Sequence, residues 1–442
     1  MRVTYSGHEP AAGRYPSLRM ATRTQTVEEI CNQARRAARG LATLETAVKD
    51  AALEAIAEAL EARVDEILEA NAADLEDGRA NGLDAALLDR LALDEKRIAQ
   101  MAVGVRDIVA LPDPVGDELE AHTLPNGLDL RKVRVPLGVV AIIYEARPNV
   151  TVDASALAIK SGNAVVLRGS STAARSNAVL ARIVAEAGEA AGLPEGSVQL
   201  LAGGDHSELI ELVSQEKMVD LVIPRGGGAL KETLKEHARV PVIYAAAGNC
   251  HVYVDAGADG EMARRIALNA KVQRPGVCNA AETLLVHADA APSVLPLILQ
   301  DLHSAGVELR ADARTRSLAG ALADEIVDAT EEDWETEYHG MTIAVKIVDS
   351  VEEAIDHVNR YGTGHSEAIV TESDQAAKDF VDGVDAACLY VNASTRFTDG
   401  AEFGMGAEMG NSTQKLHARG PIGLRELTSY KYVGRGSGQI RE

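Results

Sequence analysis

The chain has 442 residues and carries 67 acidic against 44 basic groups, a net charge of −23. Apolar residues make up 46% and charged residues 25%, which is the balance of a folded globular protein and excludes collagen-like, disordered and disulfide-scaffold classes. The negative surface repels nucleic acid and anionic lipid, and no stretch reaches the ~18 uninterrupted apolar residues of a membrane helix or forms a secretory leader, so a cytosolic protein is expected.

Residues 1–24 contain Pro and Gly, are locally basic and lack any period, which predicts a disordered extension with Met20 as an alternative start. Between Thr26 and Leu75, the apolar positions Leu44, Val48, Leu60, Val64 and Ile67 recur at helical spacing among Ala, Glu and Arg. The Pro/Gly-rich stretch 111–127 ends this helical layer, and residues 128–138 alternate apolar with basic side chains as a half-exposed strand does. Short β-branched runs follow at 139–144, 164–167, 198–201, 221–223 and 240–244, separated by helical segments near 154–160, 173–191, 208–215 and 229–236. Runs without polar alternation predict strands buried on both faces, and their alternation with helices predicts a parallel βαβ sheet. A second α/β region spans 261 to about 392, with strands expected at 283–286, 344–348, 368–370 and 388–391, and an amphipathic strand at 429–433 ends the chain.

The strong short signatures are missing from this sequence: there is no G-x-G-x-x-G, P-loop, H-E-x-x-H or G-x-S-x-G. The four cysteines form no C-x-x-C pair, which argues against a zinc site, and no metal is called for. Four turns remain as candidates for chemistry. Ile223–Gly228 (IPRGGG) joins a buried strand to a helix, where free N–H groups and the helix dipole suit a phosphate. Cys278 follows Arg274-Pro275-Gly276, a setting that lowers a thiol pKa if the cation and a helix terminus face it; an inert buried cysteine is the competing reading. Arg147 and Asn149, after the 139–144 strand, stand where open α/β sheets bind ligands and suit an anion and a developing oxyanion. Arg168 with Ser170, Ser171 and Thr172 suits an extra phosphate, or the hydroxyls only cap a helix.

The segments VPLGVVAIIYEARPNVTVD (135–153), SGNAVVLRGS (161–170), LVIPRGGGAL (221–230), NAKVQRPGVCNAAETLLV (269–286), YVNASTRFTDGAEFG (390–404) and STQKLHARGPIGL (412–424) resemble the gamma-glutamyl phosphate reductases, the proline-biosynthesis branch of the aldehyde dehydrogenase superfamily. The resemblance covers the chain from about residue 26 to its end. It implies an aldehyde dehydrogenase-like α/β fold of two Rossmann-like domains with a β oligomerisation arm. The expected division is 25–121 with 136–260 as cofactor domain, 261–411 as catalytic domain, and 122–135 with 412–442 as the arm. Cys278 then resembles the family's nucleophile, and Asn149 with the Cys278 N–H its oxyanion hole. Arg168 stands at the superfamily's cofactor-ribose lysine, and Ser171 replaces the acidic residue of NAD-preferring relatives, which implies NADPH. Arg225, Gly226 and Gly227 match the loop near the cofactor phosphates, and Glu337 the carboxylate that touches the nicotinamide ribose.

The stretch matching the glutamate base of aldehyde-oxidising relatives reads Ala245-Ala246-Ala247-Gly248-Asn249, so that hydrolytic base is gone and a thioester would survive to be reduced. The implied reaction is reduction of L-glutamate 5-phosphate to L-glutamate 5-semialdehyde and phosphate, with Arg147, Arg274 and Arg396 as candidates for the substrate's anionic groups. A dimer or tetramer and glutamate 5-kinase are the expected partners. Reduction of another activated acyl group, such as a coenzyme A thioester, and a catalytically silent assembly subunit are the alternatives. The basic groups are 32 Arg and 12 Lys; a carboxylate-rich, lysine-poor surface suits a cytoplasm of molar salt, where repulsion is screened over about 3 Å, so a halophilic host is expected.

Overall fold

The computed structural model describes residues 25–201, 205–244 and 247–441, and the expected N-terminal extension lies outside them. The first sheet has four parallel strands in the order Val198–Leu200, Ala164–Arg168, Val139–Tyr144, Leu221–Arg225. All six residues of Val139–Tyr144 are buried, as a central strand covered on both faces requires. Helices Asn149–Lys160 and Ala174–Ala190 lie between these strands in sequence, and Thr46–Ala62 packs on both of them. The first helix, Val27–Leu41, starts at a capping box in which Thr26 and Glu29 exchange hydrogen bonds, and packs on the other side with His206–Val213.

The second sheet has seven parallel strands, in the order Val327–Asp328, Glu308–Ala311, Thr342–Val348, Ala281–His287, Cys250–Val254, Ser366–Val370, Cys388–Val391. A third, antiparallel sheet joins Glu118–Thr123, Asp129–Pro136 and Thr428–Arg435. Glu118–Thr123 is exposed along its whole length, and Lys132 sits 4.2 Å above the Tyr430 ring. Among the described residues no helix is long and apolar enough to cross a membrane.

The structure departs from the sequence reading at four places. Residues 240–244 form no strand; only a Val222–Val242 bridge survives next to Pro241. Cys250–Val254 belongs to the second sheet although it precedes residue 261. Its His251 hides the strand pattern because its ring pairs at 3.1 Å with Glu367 on the neighbouring strand, both fully buried. The arm begins at Glu118, inside the stretch that reads as a break. Ala418, Ile422, Leu424 and Leu427 pack into the core of the first unit instead of extending the arm.

Candidate active site

The turn after strand Val139–Tyr144 and the carboxyl end of Leu221–Arg225 meet the turn that leads into strand Ala281–His287, since Arg147 and Arg225 both act on Cys278. Cys278 lies where they meet, in the turn between helix Gly260–Val272 and strand Ala281–His287. It is the only one of the four cysteines that is not buried. The turn is clamped at its base by an ion pair between Lys271 and Glu282, both completely buried, and Glu282 also accepts from the His339 N–H at 3.3 Å. The Cys250 thiol donates to the Cys278 carbonyl at 3.2 Å, which engages the next cysteine in line as a nucleophile. Asn279 donates through Nδ2 to the Thr398 carbonyl at 2.8 Å, and its own carbonyl accepts from Thr395 Oγ1 at 2.7 Å.

Gly248 presses its backbone on the thiol's residue: a Cβ there would lie 1.5 Å from the Cys278 carbonyl oxygen, so only glycine fits. The Gly248 N–H donates to Glu337 Oε1 at 2.8 Å, which brings this expected ribose contact beside Cys278.

The expected substrate arginines converge. Arg147 and Arg396 both lie near Arg274 and Cys278; desolvation first, then neighbouring cations, Arg225 foremost for Arg147 and Arg274 for Arg396, lowers both guanidinium pKa values, while Cys278 acts in the opposite sense. Arg225 joins them. Its guanidinium lies against Gly410, where a Cβ would come within 2.8 Å of it, and its charge acts on Arg147 and on the Cys278 thiol. Even so, the thiol is not activated as expected: burial first, then the Glu408 and Glu337 carboxylates, push its pKa up to about 11. The expectation failed chiefly because the fold desolvates the thiol, and secondly because both carboxylates come from segments far along the chain.

Asn149 opens helix Asn149–Lys160, and its Nδ2 donates to Asp153 Oδ2 at 3.0 Å, which orients the amide and leaves its second N–H for another acceptor. Burial lifts the Asp153 carboxyl to about 6. Asp153 escaped the sequence reading, although its spacing of four residues along a helix was the signal to look for.

At the carboxyl end of strand Ala164–Arg168, Arg168 donates to the Asp205 carbonyl at 3.2 Å and pairs with Glu208 at 3.6 Å, an acidic neighbour absent from the sequence reading. Ser170, rather than Ser171 or Thr172, caps the following turn by accepting from the Thr172 N–H at 3.1 Å; Ser171 is exposed. The Gly226-Gly227 turn opens helix Gly228–His237, as a phosphate cradle needs. Its Gly227 N–H is not free, however: it donates to Glu145 Oε1 at 2.9 Å. A Cβ at Gly226 would fall 2.8 Å from that same oxygen, so the turn is shaped around a negatively charged group.

The family model described as the aldehyde dehydrogenase family matches residues 4–326 and 324–433. A gamma-glutamyl phosphate reductase of Moorella thermoacetica is 56% identical over 410 residues, 93% of this chain and 97% of that protein. One from Thermobifida fusca is 52% identical over 415 residues, 94% of this chain and 98% of that protein. The crystal structure of gamma-glutamyl phosphate reductase from Thermotoga maritima superposes with a TM-score of 0.92 at 47% identity, covering 95% of this chain and 100% of the other.

Proposed function

Since the chain belongs to the aldehyde dehydrogenase family and, within it, to the gamma-glutamyl phosphate reductases, we propose that Cys278 is its acyl carrier and that L-glutamate 5-phosphate is its substrate. Its role is that of an oxidoreductase of proline biosynthesis. One observation carries the reading: Arg147, Arg225, Arg274 and Arg396 gather around the single accessible thiol, a cationic setting matched to a phosphate and a carboxylate on one small molecule.

The Cys278 sulfur attacks the γ-acyl carbon, the C–O bond to phosphate breaks, and a thioester remains. Asn149 Nδ2 and the Cys278 N–H hold the oxyanion of that attack and of the later collapse, and losing one such donor costs ~10²–10³ in rate. Bound NADPH supplies the hydride that reduces the thioester. Arg225, Gly226, Gly227 and Glu337 are the residues proposed to hold the cofactor at its phosphates and nicotinamide ribose. Arg168, Ser170 and Ser171 are proposed at its 2′-phosphate, with Glu208 setting the Arg168 guanidinium at the strand end. The glycine turn suits an anion at a helix start, and in this proposal the cofactor phosphate takes the Gly227 N–H from Glu145.

The deciding assay runs the reaction backwards. Glutamate semialdehyde and NADP⁺ should yield NADPH only when phosphate is present; formation driven by coenzyme A assigns a different acyl acceptor, and none at all leaves a silent subunit. Ser171→Glu places a carboxylate where the 2′-phosphate is proposed, and should reverse the preference in kcat/KM from NADP⁺ towards NAD⁺. An unchanged preference removes Ser171 from the cofactor site.

A homo-oligomer joined through the Glu118–Pro136 hairpin and Thr428–Arg435, a cytosolic location and an encounter with glutamate 5-kinase belong to the same proposal. So does a salt-adapted host: activity and Tm should both rise as KCl is raised towards the molar range, whereas best performance below about 0.1 M contradicts it.

A further inference from the structure

The half-buried Cys278 thiol, pushed up to about 11, is almost entirely protonated at neutral pH, so an enzyme that attacks through it must remove the proton in every cycle. The sequence offers no glutamate at the position where aldehyde-oxidising relatives keep one, and residues 247–249 supply Ala, Gly and Asn. Two carboxylates act on Cys278. Glu337 is committed, accepting from the Gly248 N–H at 2.8 Å and facing His339 Nε2 at 3.4 Å. Glu408 is different: the Gly400 N–H is the one backbone donor acting on its carboxyl, and its Oε2 is buried with no hydrogen-bond partner.

The backbone ties Glu408 to the same wall as the thiol. Asn279, next to Cys278, is bonded to the Thr398 carbonyl and to Thr395 Oγ1. Two residues after Thr398, Gly400 packs on Glu408, where a Cβ would lie 2.8 Å from the Glu408 Cβ and 3.1 Å from its N. Two residues after Glu408, Gly410 carries the Arg225 guanidinium.

We propose that Glu408 is the general base of the reaction, taking the Cys278 proton as the sulfur attacks and giving it to the departing phosphate. This inference rests on Cys278 being the acyl carrier. The S–H bond breaks as the S–C bond forms, and the proton moves to Glu408 Oε2. The C–O bond then breaks, and the proton passes to the leaving phosphate oxygen, so that the anion departs as hydrogen phosphate and Glu408 is again ionised. The thiolate freed with the aldehyde is re-protonated from water, and one proton is consumed per turnover. The groups facing the carboxyl are Arg225, which favours its ionised form, Asp399, which opposes it, and the Cys278 and Cys388 thiols. The thiol is faced in addition by Glu337, Arg147, Arg396 and Cys250. Burial raises the Glu408 pKa above the ordinary carboxylate range, which improves it as a base near neutrality.

The test compares wild type with Glu408→Gln and Glu408→Ala by kcat/KM against pH, by alkylation of Cys278 with iodoacetamide, and by NADP⁺ affinity. Glu408→Gln should lose about 10²-fold or more in kcat/KM. It should also lose the acid limb of the profile and bind NADP⁺ as wild type does. Its alkylation should shift to lower pH, because a repelling charge has gone. Added formate should restore turnover to Glu408→Ala. Turnover at or above wild type in either variant, or a loss that formate does not relieve and that leaves the acid limb in place, overturns the assignment. Such a result leaves Cys278 untouched as carrier, which turnover of Cys278→Ala and the position of the acyl adduct test separately.

Discussion

Cys278→Ala should form no NADPH from glutamate semialdehyde, phosphate and NADP⁺, a loss of about 10⁴-fold or more, while binding NADP⁺ with unchanged affinity. The magnitude follows from the chemistry: without the sulfur no thioester forms, and the oxyanion donors alone leave only residual rate. Fold should survive, because the side chain lies in a turn held by its neighbours' bonds, namely Asn279 to Thr398 and the Cys250 thiol to the backbone carbonyl of residue 278. Cys250 is a poor substitute. It is fully buried, and burial with the Glu367 charge holds its thiol well above the ordinary range. Retained turnover in Cys278→Ala would nonetheless move the nucleophile there.

Lys271→Met should be the most destabilising single change in the catalytic unit. It leaves the Glu282 carboxyl, which burial has already raised to about 7, without its cation, and removing one member of a buried pair costs about 3–5 kcal/mol. Adding Glu282→Gln should recover most of that loss, because the charge disappears and an oxygen remains for the His339 N–H. Denaturant midpoints of the single and double variants measure both effects. A single variant within about 1 kcal/mol of wild type means that the pair does not clamp the Cys278 turn.

The legible parts of this protein are those written in contiguous residues. Val139–Tyr144 declares a doubly covered strand because nothing polar interrupts it, and Pro275-Gly276 declares the turn before Cys278. Arg147, Arg274 and Arg396 were nameable as cations, but their meeting around one thiol depends on turns of two sheets coming together. His251 and Glu367 are 116 residues apart and each spoils an apolar run; only their pairing makes the strands readable. The protonation of Cys278 is illegible for the same reason, since the packing that desolvates it and the Glu408 and Glu337 carboxylates that reach it come from segments with no sequence link to its turn. Glu145 illustrates the converse: it stands in the quoted motif beside Arg147, yet its hold on the Gly227 N–H, 82 residues away, is invisible without the fold.

The claim on which the account turns is covalent, so mass spectrometry tests it most directly. Incubating the enzyme with glutamate semialdehyde and NADP⁺ in the absence of phosphate should strand the acyl group, and peptide mapping should find a glutamyl adduct on Cys278 that added phosphate removes. An adduct on any other side chain, or unmodified enzyme under conditions that support turnover once phosphate is supplied, contradicts it.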